Sequence, residues 1–315
     1  MSEAPSTGLL VMAYGTASGP EDVEAYYTHI RRGRKPPPEL LEELRERYAA
    51  LPGGRSQLLE TTVAQMEALA GELRAAGVEP LVPALGQKHA APFIEDGVAE
   101  LGAAGVERIL ALVLAPHWST MSVAEYLGRA RETAAREAPG AELIAVEDWH
   151  LAPGYIEWLA GAVGEALERI PAADRDECEV LFTAHSLPMR ILADGDPYPE
   201  SLRETGEAVA ARLGLERWSI GWQSAGRTAD PWLGPDVLEI LPRLREQGRR
   251  AAVVCACGFV ADHLEVIYDL DIEAAGAAGE LGLAFARTVM PNDDPRFIAA
   301  LRDVVLDRLA GVAEE

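Results

Sequence analysis

Short apolar runs alternate along the chain with longer stretches in which apolar residues recur every three or four positions. The runs have the character of strands buried on both faces, and the stretches that of helices with one covered face. Strands are predicted over residues 9–13, 79–85, 109–115, 143–146, 180–184, 218–222 and 251–257. The helical period is clearest over 21–32, 38–50, 58–76, 92–103, 123–137, 154–169, 199–213, 235–247 and 295–309. Gly77, Gly105, Gly140, Gly214 and Gly248 close such stretches, and Pro92, Pro153, Pro199, Pro235 and Pro295 precede or open them. Strand and helix in alternation predict an α/β protein whose parallel sheets are wrapped by helices. At 315 residues there is room for two domains, and the helix after Leu151-Ala152-Pro153 is the best crossing between halves of about four strands each.

In open α/β sheets ligands bind beyond the carboxyl ends of the strands, so ionisable groups at those ends are the first candidates for chemistry. Five of the six histidines lie at or shortly past such an end. The groups gathered there are Tyr14, Lys88, His89, His117, His185 and Glu265. Phenol, imidazole and carboxylate are all ligands for a borderline divalent metal such as iron(II). A strand-end histidine alone is more often scaffolding, which is the expectation for His117, His150 and His263, with His89 standing behind the site. Glu265, Asp269 and Glu273 recur every four residues and would form one acidic stripe on a helix. His263 and Glu265 are two apart, so on a helix only one of them faces the site.

Several sites are excluded. No Gly-x-Gly-x-x-Gly follows the first strand, and neither a phosphate-loop Gly-Lys-Ser/Thr nor a His-Glu-x-x-His occurs. Gly221-Trp222-Gln223-Ser224-Ala225-Gly226 has one residue too many before Ser224 for a nucleophile elbow. A net charge of −23 argues against nucleic acid and anionic membranes as partners. Against that background Arg31, Arg32, Arg34 and Lys35 form a local cationic cluster suited to an anion. No apolar stretch approaches the roughly 20 residues of a membrane span, and residues 1–8 lack the order of a signal peptide, so a soluble cytoplasmic protein is expected. The odd count of three cysteines, Cys178, Cys255 and Cys257, predicts free thiols that serve as small core residues. No long exposed apolar segment demands a dimer, and a monomer is expected.

Six separated stretches carry a family likeness across nearly the whole chain. They are Leu10-Val11-Met12-Ala13-Tyr14-Gly15-Thr16, Tyr26-Tyr27-Thr28-His29-Ile30-Arg31-Arg32-Gly33-Arg34, Ala184-His185-Ser186-Leu187-Pro188, Gly221-Trp222-Gln223-Ser224, Asp230-Pro231-Trp232-Leu233-Gly234-Pro235 and Gly258-Phe259-Val260-Ala261-Asp262-His263-Leu264-Glu265. Together they resemble ferrochelatase, most closely its coproporphyrin-using branch in Gram-positive bacteria.

The resemblance implies a lyase of haem biosynthesis that inserts Fe²⁺ into coproporphyrin III, in a cleft between two Rossmann-like domains. These would span residues 1–150, joined by a C-terminal helix over 294–312, and 151–293. It implies His185 and Glu265 as the catalytic pair and metal ligands on one face of the macrocycle, with Tyr14 on the other as axial ligand to the product iron. It also implies porphyrin contacts from Tyr14, Arg31, Arg47, Tyr48, Ser56 and Tyr126. Lys88, His89, Asp269 and Glu273 would stand behind the site or line a metal or proton path, with a secondary divalent site at Asp269 and Glu273. Iron is then a substrate, no cofactor stays bound, and passing contacts with neighbouring haem-pathway enzymes are expected. Metallation releases two pyrrole protons and strips water from a dication, so a proton acceptor and a transient ligand are the groups required.

Departures from the family pattern are local. Gln57 stands where proline is usual, which leaves the role of Ser56 open, and Met189 replaces a commonly charged residue. Residues 311–315 offer no cysteines for an iron–sulfur cluster, and Arg34-Lys35-Pro36-Pro37-Pro38 occupies the neighbourhood of the apolar lip of membrane-bound relatives. Two alternatives stay open: a protoporphyrin ferrochelatase, and a tetrapyrrole or metal carrier without turnover.

Overall fold

The computed structural model describes residues 5–314; Met1–Ala4 and Glu315, which belong to the termini weighed above for a signal peptide and a cluster extension, lie outside the described residues. The chain divides into two units, one formed by the chain up to Ala115 with Ser122–Trp149 and Asn292 onward, the other by Pro116–Met121 and His150–Pro291.

The first unit is built on a four-stranded parallel sheet of β1 (Thr7–Ala13), β2 (Leu81–Gln87), β3 (Arg108–Val113) and β4 (Glu142–Val146) in the order β2-β1-β3-β4. All seven residues of β1 are buried, which is why it reads as an unbroken apolar run. The connections are α1 (Val23–Ile30), α2 (Pro38–Ala49) and α3 (Leu58–Ala75) before β2, α4 (Ile94–Ala103) before β3, and α5 (Val123–Glu137) before β4. Strand β2 begins two residues later than its apolar run suggests, past Pro80, whose nitrogen has no hydrogen for a ladder.

The second unit repeats the pattern with β5 (Cys178–His185), β6 (Trp218–Gln223), β7 (Ala251–Cys255) and β8 (Ala284–Arg287), in the order β6-β5-β7-β8 and again all parallel. Its helices are α6 (Pro153–Arg169), α7 (Tyr198–Leu213), α8 (Val237–Glu246), α9 (Leu264–Val266) and α10 (Ala275–Glu280). Between α9 and α10, Ile267–Ala274 forms a π-helix. Strand β8 was not predicted: its four residues are all only half-buried, so no apolar run marks this sheet edge. Strand β7 ends at Cys255, two residues short of the predicted run, because the chain turns back so that Cys257 donates to the Cys255 carbonyl.

The last helix, α11 (Pro295–Glu314), belongs to the first unit and packs on α3 and β4. Arg302 meets Glu72 of α3 at 2.7 Å, and the Arg308 Nε donates to the Ala145 carbonyl at 3.1 Å. Its Phe297 is fully buried with its ring 6.1 Å from that of Trp149, an anchor whose truncation to alanine would cost about 3–5 kcal/mol.

Candidate active site

In the second unit the site begins where β5 ends. His185 is the last residue of that strand, paired in register with Gln223 of β6. The Tyr198 hydroxyl donates to the His185 carbonyl at 3.0 Å, and Ser186 N–H donates to the Gln223 carbonyl at 2.8 Å, so the strand end is held from two sides. The His185 Nδ1 is bonded to the Ser186 carbonyl; a carbonyl can only accept, so the proton sits on Nδ1 and the lone pair on Nε2.

That Nε2 faces Glu265 Oε1 at 3.5 Å. The other carboxylate oxygen, Oε2, lies 3.5 Å from His263 Nε2. His263 repeats the arrangement of His185, because its Nδ1 donates to the Ala261 carbonyl at 3.1 Å. The carboxylate therefore lies between two imidazoles, each tied to the main chain by Nδ1. The side chains are part-exposed, 30% for His185, 28% for Glu265 and 15% for His263, which leaves the group open to a reactant. At 3.5 Å the contacts are longer than the roughly 2.7–2.9 Å of a tight charge-assisted hydrogen bond, so the array is not locked.

Charge sets the protonation states. Burial works against a charged His185, but the Glu265 carboxylate outweighs it, with help from Asp269, and the pKa is raised above the usual imidazole value. Burial likewise favours a neutral Glu265, yet His185 and then His263 hold its pKa well below the usual carboxylate range. Glu265 is anionic throughout, and His185 is a ready acceptor for a proton at Nε2.

The backbone of Glu265 is fastened by the Gln223 side chain, whose Nε2 donates to its carbonyl at 2.8 Å and whose Oε1 accepts from Thr183 Oγ1 at 2.9 Å. Next to it Ser224, in the left-handed region with φ at 60°, donates from Oγ to the buried Asp269. Gly258 lets the loop after β7 lie against β5: a Cβ there would come within 2.4 Å of the Ala184 Cβ. The acids expected as one α-helical stripe grade instead from part-exposed Glu265 through buried Asp269 to exposed Glu273, because the π turn changes the spacing between them. Among the described residues, no group of three or more His, Cys, Asp or Glu has the arrangement of a metal-holding cluster.

The expectation that only one of His263 and Glu265 faces the site is corrected. His263 is the N-cap of α9, extended at φ −155° and ψ −177°, so helical periodicity does not apply to it and both side chains converge. His117 and His150 are tied elsewhere in the unit, to Thr205 and Glu204 of α7 at 2.9 Å each.

In the first unit Tyr14 follows β1 and is 40% exposed, with its ring 4.7 Å from that of His89. The Nδ1 atoms of His89 and His29 are 3.0 Å apart, which requires one ring to accept and hence to be neutral. Burial, then the neighbouring Lys88 and His29, push His89 down to about 3. Burial also lowers Lys88, although its Nζ lies 2.6 Å from Glu125, and it sits 5.1 Å from the centre of the Tyr126 ring. Arg31 has its Cζ 5.7 Å from the Tyr27 ring and a buried Nε with no hydrogen-bond partner. Arg47 is half-buried. Tyr48 is buried, its hydroxyl sharing a hydrogen bond with Thr16 Oγ1 at 3.0 Å; Ser56 is buried and accepts from Leu58 N–H at 3.3 Å; Tyr126 is buried too.

A family model, that of ferrochelatase, matches residues 6–309. The chain belongs to the ferrochelatase family. Among curated relatives it is 48% identical over 304 residues to the coproporphyrin III ferrochelatase of Anoxybacillus flavithermus, covering 96% of each chain. It is 45% identical over 304 residues to that of Bacillus subtilis strain 168, covering 96% of this chain and 97% of the relative. Among solved structures, SirB from Bacillus subtilis with Fe³⁺ superposes with a TM-score of 0.60 at 11% identity over 98% of both chains. The sirohydrochlorin chelatase SirB of Bacillus subtilis subspecies spizizenii, in complex with cobalt, gives 0.58 at 11% identity over 96% of this chain and 95% of the other. At that identity the likeness is one of fold, a chelatase-like pair of four-stranded parallel sheets.

Within this ferrochelatase chain, His29, His263, Gln223 and Tyr198 take part in the strand-end arrays although none was assigned a catalytic or binding role from sequence. Only His263 carried a usable signal: it precedes the first helical residue of the 258–265 motif, where the rule of helix faces stops.

Proposed function

We propose that this protein inserts Fe²⁺ into coproporphyrin III, releasing two protons and giving Fe-coproporphyrin III for haem biosynthesis. The observation that carries the proposal is the pairing of His185 Nε2 with a carboxylate held anionic, in a chain 45–48% identical to coproporphyrin III ferrochelatases.

With Nδ1 committed to the Ser186 carbonyl, Nε2 is the one atom of His185 able to take a pyrrole proton or touch the metal. Glu265 stabilises the imidazolium so formed and supplies an anionic oxygen toward which a dication is drawn. Neither group is a thiolate that would trap iron. His263 balances the second oxygen of Glu265, and Asp269 with Glu273 continue the negative field outward as a path for protons or a cation. From the first unit, Tyr14 offers its phenol oxygen to the product iron. Arg31, with Nε unpartnered, and Arg47 take propionates, for which the planar guanidinium fork is suited. The cytoplasm as the place of action and a monomer as the working form are part of the same proposal; no described helix is long and apolar enough to cross a membrane.

The test is anaerobic absorption spectroscopy with Fe²⁺ and either coproporphyrin III or protoporphyrin IX. Continuous metalloporphyrin formation beyond one equivalent per chain is expected, faster with the tetrapropionate, and Arg31→Leu should slow coproporphyrin far more than protoporphyrin. Formation that stops at one equivalent would make the protein a carrier, and equal or faster turnover of protoporphyrin would overturn the choice of substrate.

A further inference from the structure

The segment from Asp262 to Asp271 carries His263, Glu265 and Asp269, and its own backbone is weakly regular. It starts in an extended loop, makes three residues of α-helix and passes into a π turn, whose hydrogen-bond geometry is a poor guarantee of a side chain's aim. Both ends of this segment meet on one guanidinium. Arg287, the last residue of β8, donates from Nη2 to Asp262 Oδ1 at 3.0 Å and to Asp271 Oδ2 at 2.8 Å, and from Nε to Asp271 Oδ1 at 2.7 Å. Its Nη1 donates to the Thr288 carbonyl at 3.0 Å, which fixes the plane of the fork against its own backbone. The Arg287 side chain is 16% exposed while Asp262 and Asp271 are 33% and 42% exposed, so the grip rests on the geometry of the planar fork and its several hydrogen bonds.

The clasp is anchored in the sheet. Arg287 stands in register with Val254 of β7, the strand that runs directly into the loop bearing Asp262 and His263. One rigid strand edge thus grips the two ends of the irregular segment, while Gln223 holds the Glu265 carbonyl from the opposite edge of the sheet. We infer that Arg287 is a positioning residue: by clasping Asp262 and Asp271 together it sets the register at which Glu265 meets His185. It touches no reacting atom and acts only through the segment. Lysine could keep the charge but not the two-armed grip, because an ammonium has no planar fork.

The kinetic side rests on the iron-insertion reading above, so the test has one arm that needs no turnover. Arg287→Ala, Arg287→Lys, Asp262→Asn and Asp271→Asn would be compared with the unsubstituted full chain by steady-state kinetics, thermal melting and amide hydrogen exchange. A misplaced pair should cost about 10- to 100-fold in kcat with the porphyrin KM changed by less than about 2-fold, and free guanidinium should restore part of the rate of Arg287→Ala. Amide protection of Val266 and Ile267, which bond to the His263 carbonyl, should fall by about 10-fold while that of β7 holds. The inference is overturned if kcat stays within about 2-fold of the parent. It is equally overturned if all four variants lose kcat, KM and melting temperature together, which is the mark of a merely structural residue. If the unsubstituted chain shows no iron insertion, the functional proposal fails while the exchange arm still decides whether the clasp holds the segment.

Discussion

The two units share one topology and hold opposite chemistry at their strand ends. Each sheet runs in parallel with its first strand second in the order and its second strand at the edge, and each has imidazoles at or past a strand end. Around His89 the neighbours are Lys88, His29 and Arg129, and the ring is kept neutral down to about 3. Around His185 they are Glu265 and Asp269, and the ring is made easier to protonate. Burial pushes both histidines the same way, so the difference comes from the neighbours' charges. One scaffold thus yields a proton-refusing and a proton-accepting imidazole by setting cations beside one strand end and anions beside another.

The largest effect expected is at the acidic end. His185→Ala should lower iron insertion by about 10²–10⁴-fold while porphyrin binding, read by fluorescence quenching, persists, and Glu265→Gln should come close to it. Near-normal turnover in either would erase the functional side of the contrast. A subtler use of Glu265→Gln is to follow His185 by imidazole NMR. Removing the carboxylate takes away the strongest upward influence and leaves burial, so the titration should move to lower pH, and an unmoved titration would mean that Glu265 does not set it.

The cationic end is tested through stability. His89 in the unfolded chain titrates near 6.5 and in the folded protein at about 3, so its contribution is fully present above about 6.5. As pH falls through that window the unfolded chain binds a proton that the folded one refuses, costing up to about tenfold in the folding constant per pH unit. Chemical denaturation across the window should show this slope, and His89→Gln should flatten it. The smallest effect is at Tyr14: Tyr14→Phe should leave melting and insertion near the parent values and alter mainly the absorption spectrum of the bound iron product. An unchanged spectrum would remove the phenol from the iron.

Much of this was legible in the chain. β1 and β5 announce themselves because burial on both faces leaves no room for a polar alternation, and His185 and Glu265 follow from where such runs stop. β8 did not announce itself, since an edge strand with half-buried Ala284, Phe285, Ala286 and Arg287 has no continuous apolar face. The convergence of His263 on Glu265 was hidden for a different reason: it depends on one extended residue before a three-residue helix, a choice made by tertiary packing that no periodicity encodes. The π turn is equally silent, because 267–274 carries the same spacing of acids that an α-helix would. His29 entered only as a member of the 26–34 motif, and its partner His89 lies 60 residues away.

Both imidazoles beside Glu265 are tethered at Nδ1 by main-chain oxygens, those of Ser186 and Ala261. A side-chain tether of the kind that orients many catalytic histidines can be deleted by one substitution, and the ring then wanders between tautomers. Here every amino acid at either position brings the same carbonyl. The choice of which nitrogen meets the carboxylate is therefore inherited with the course of the backbone, insulated from mutation at its own anchor, and open to drift only if the turn itself is rebuilt.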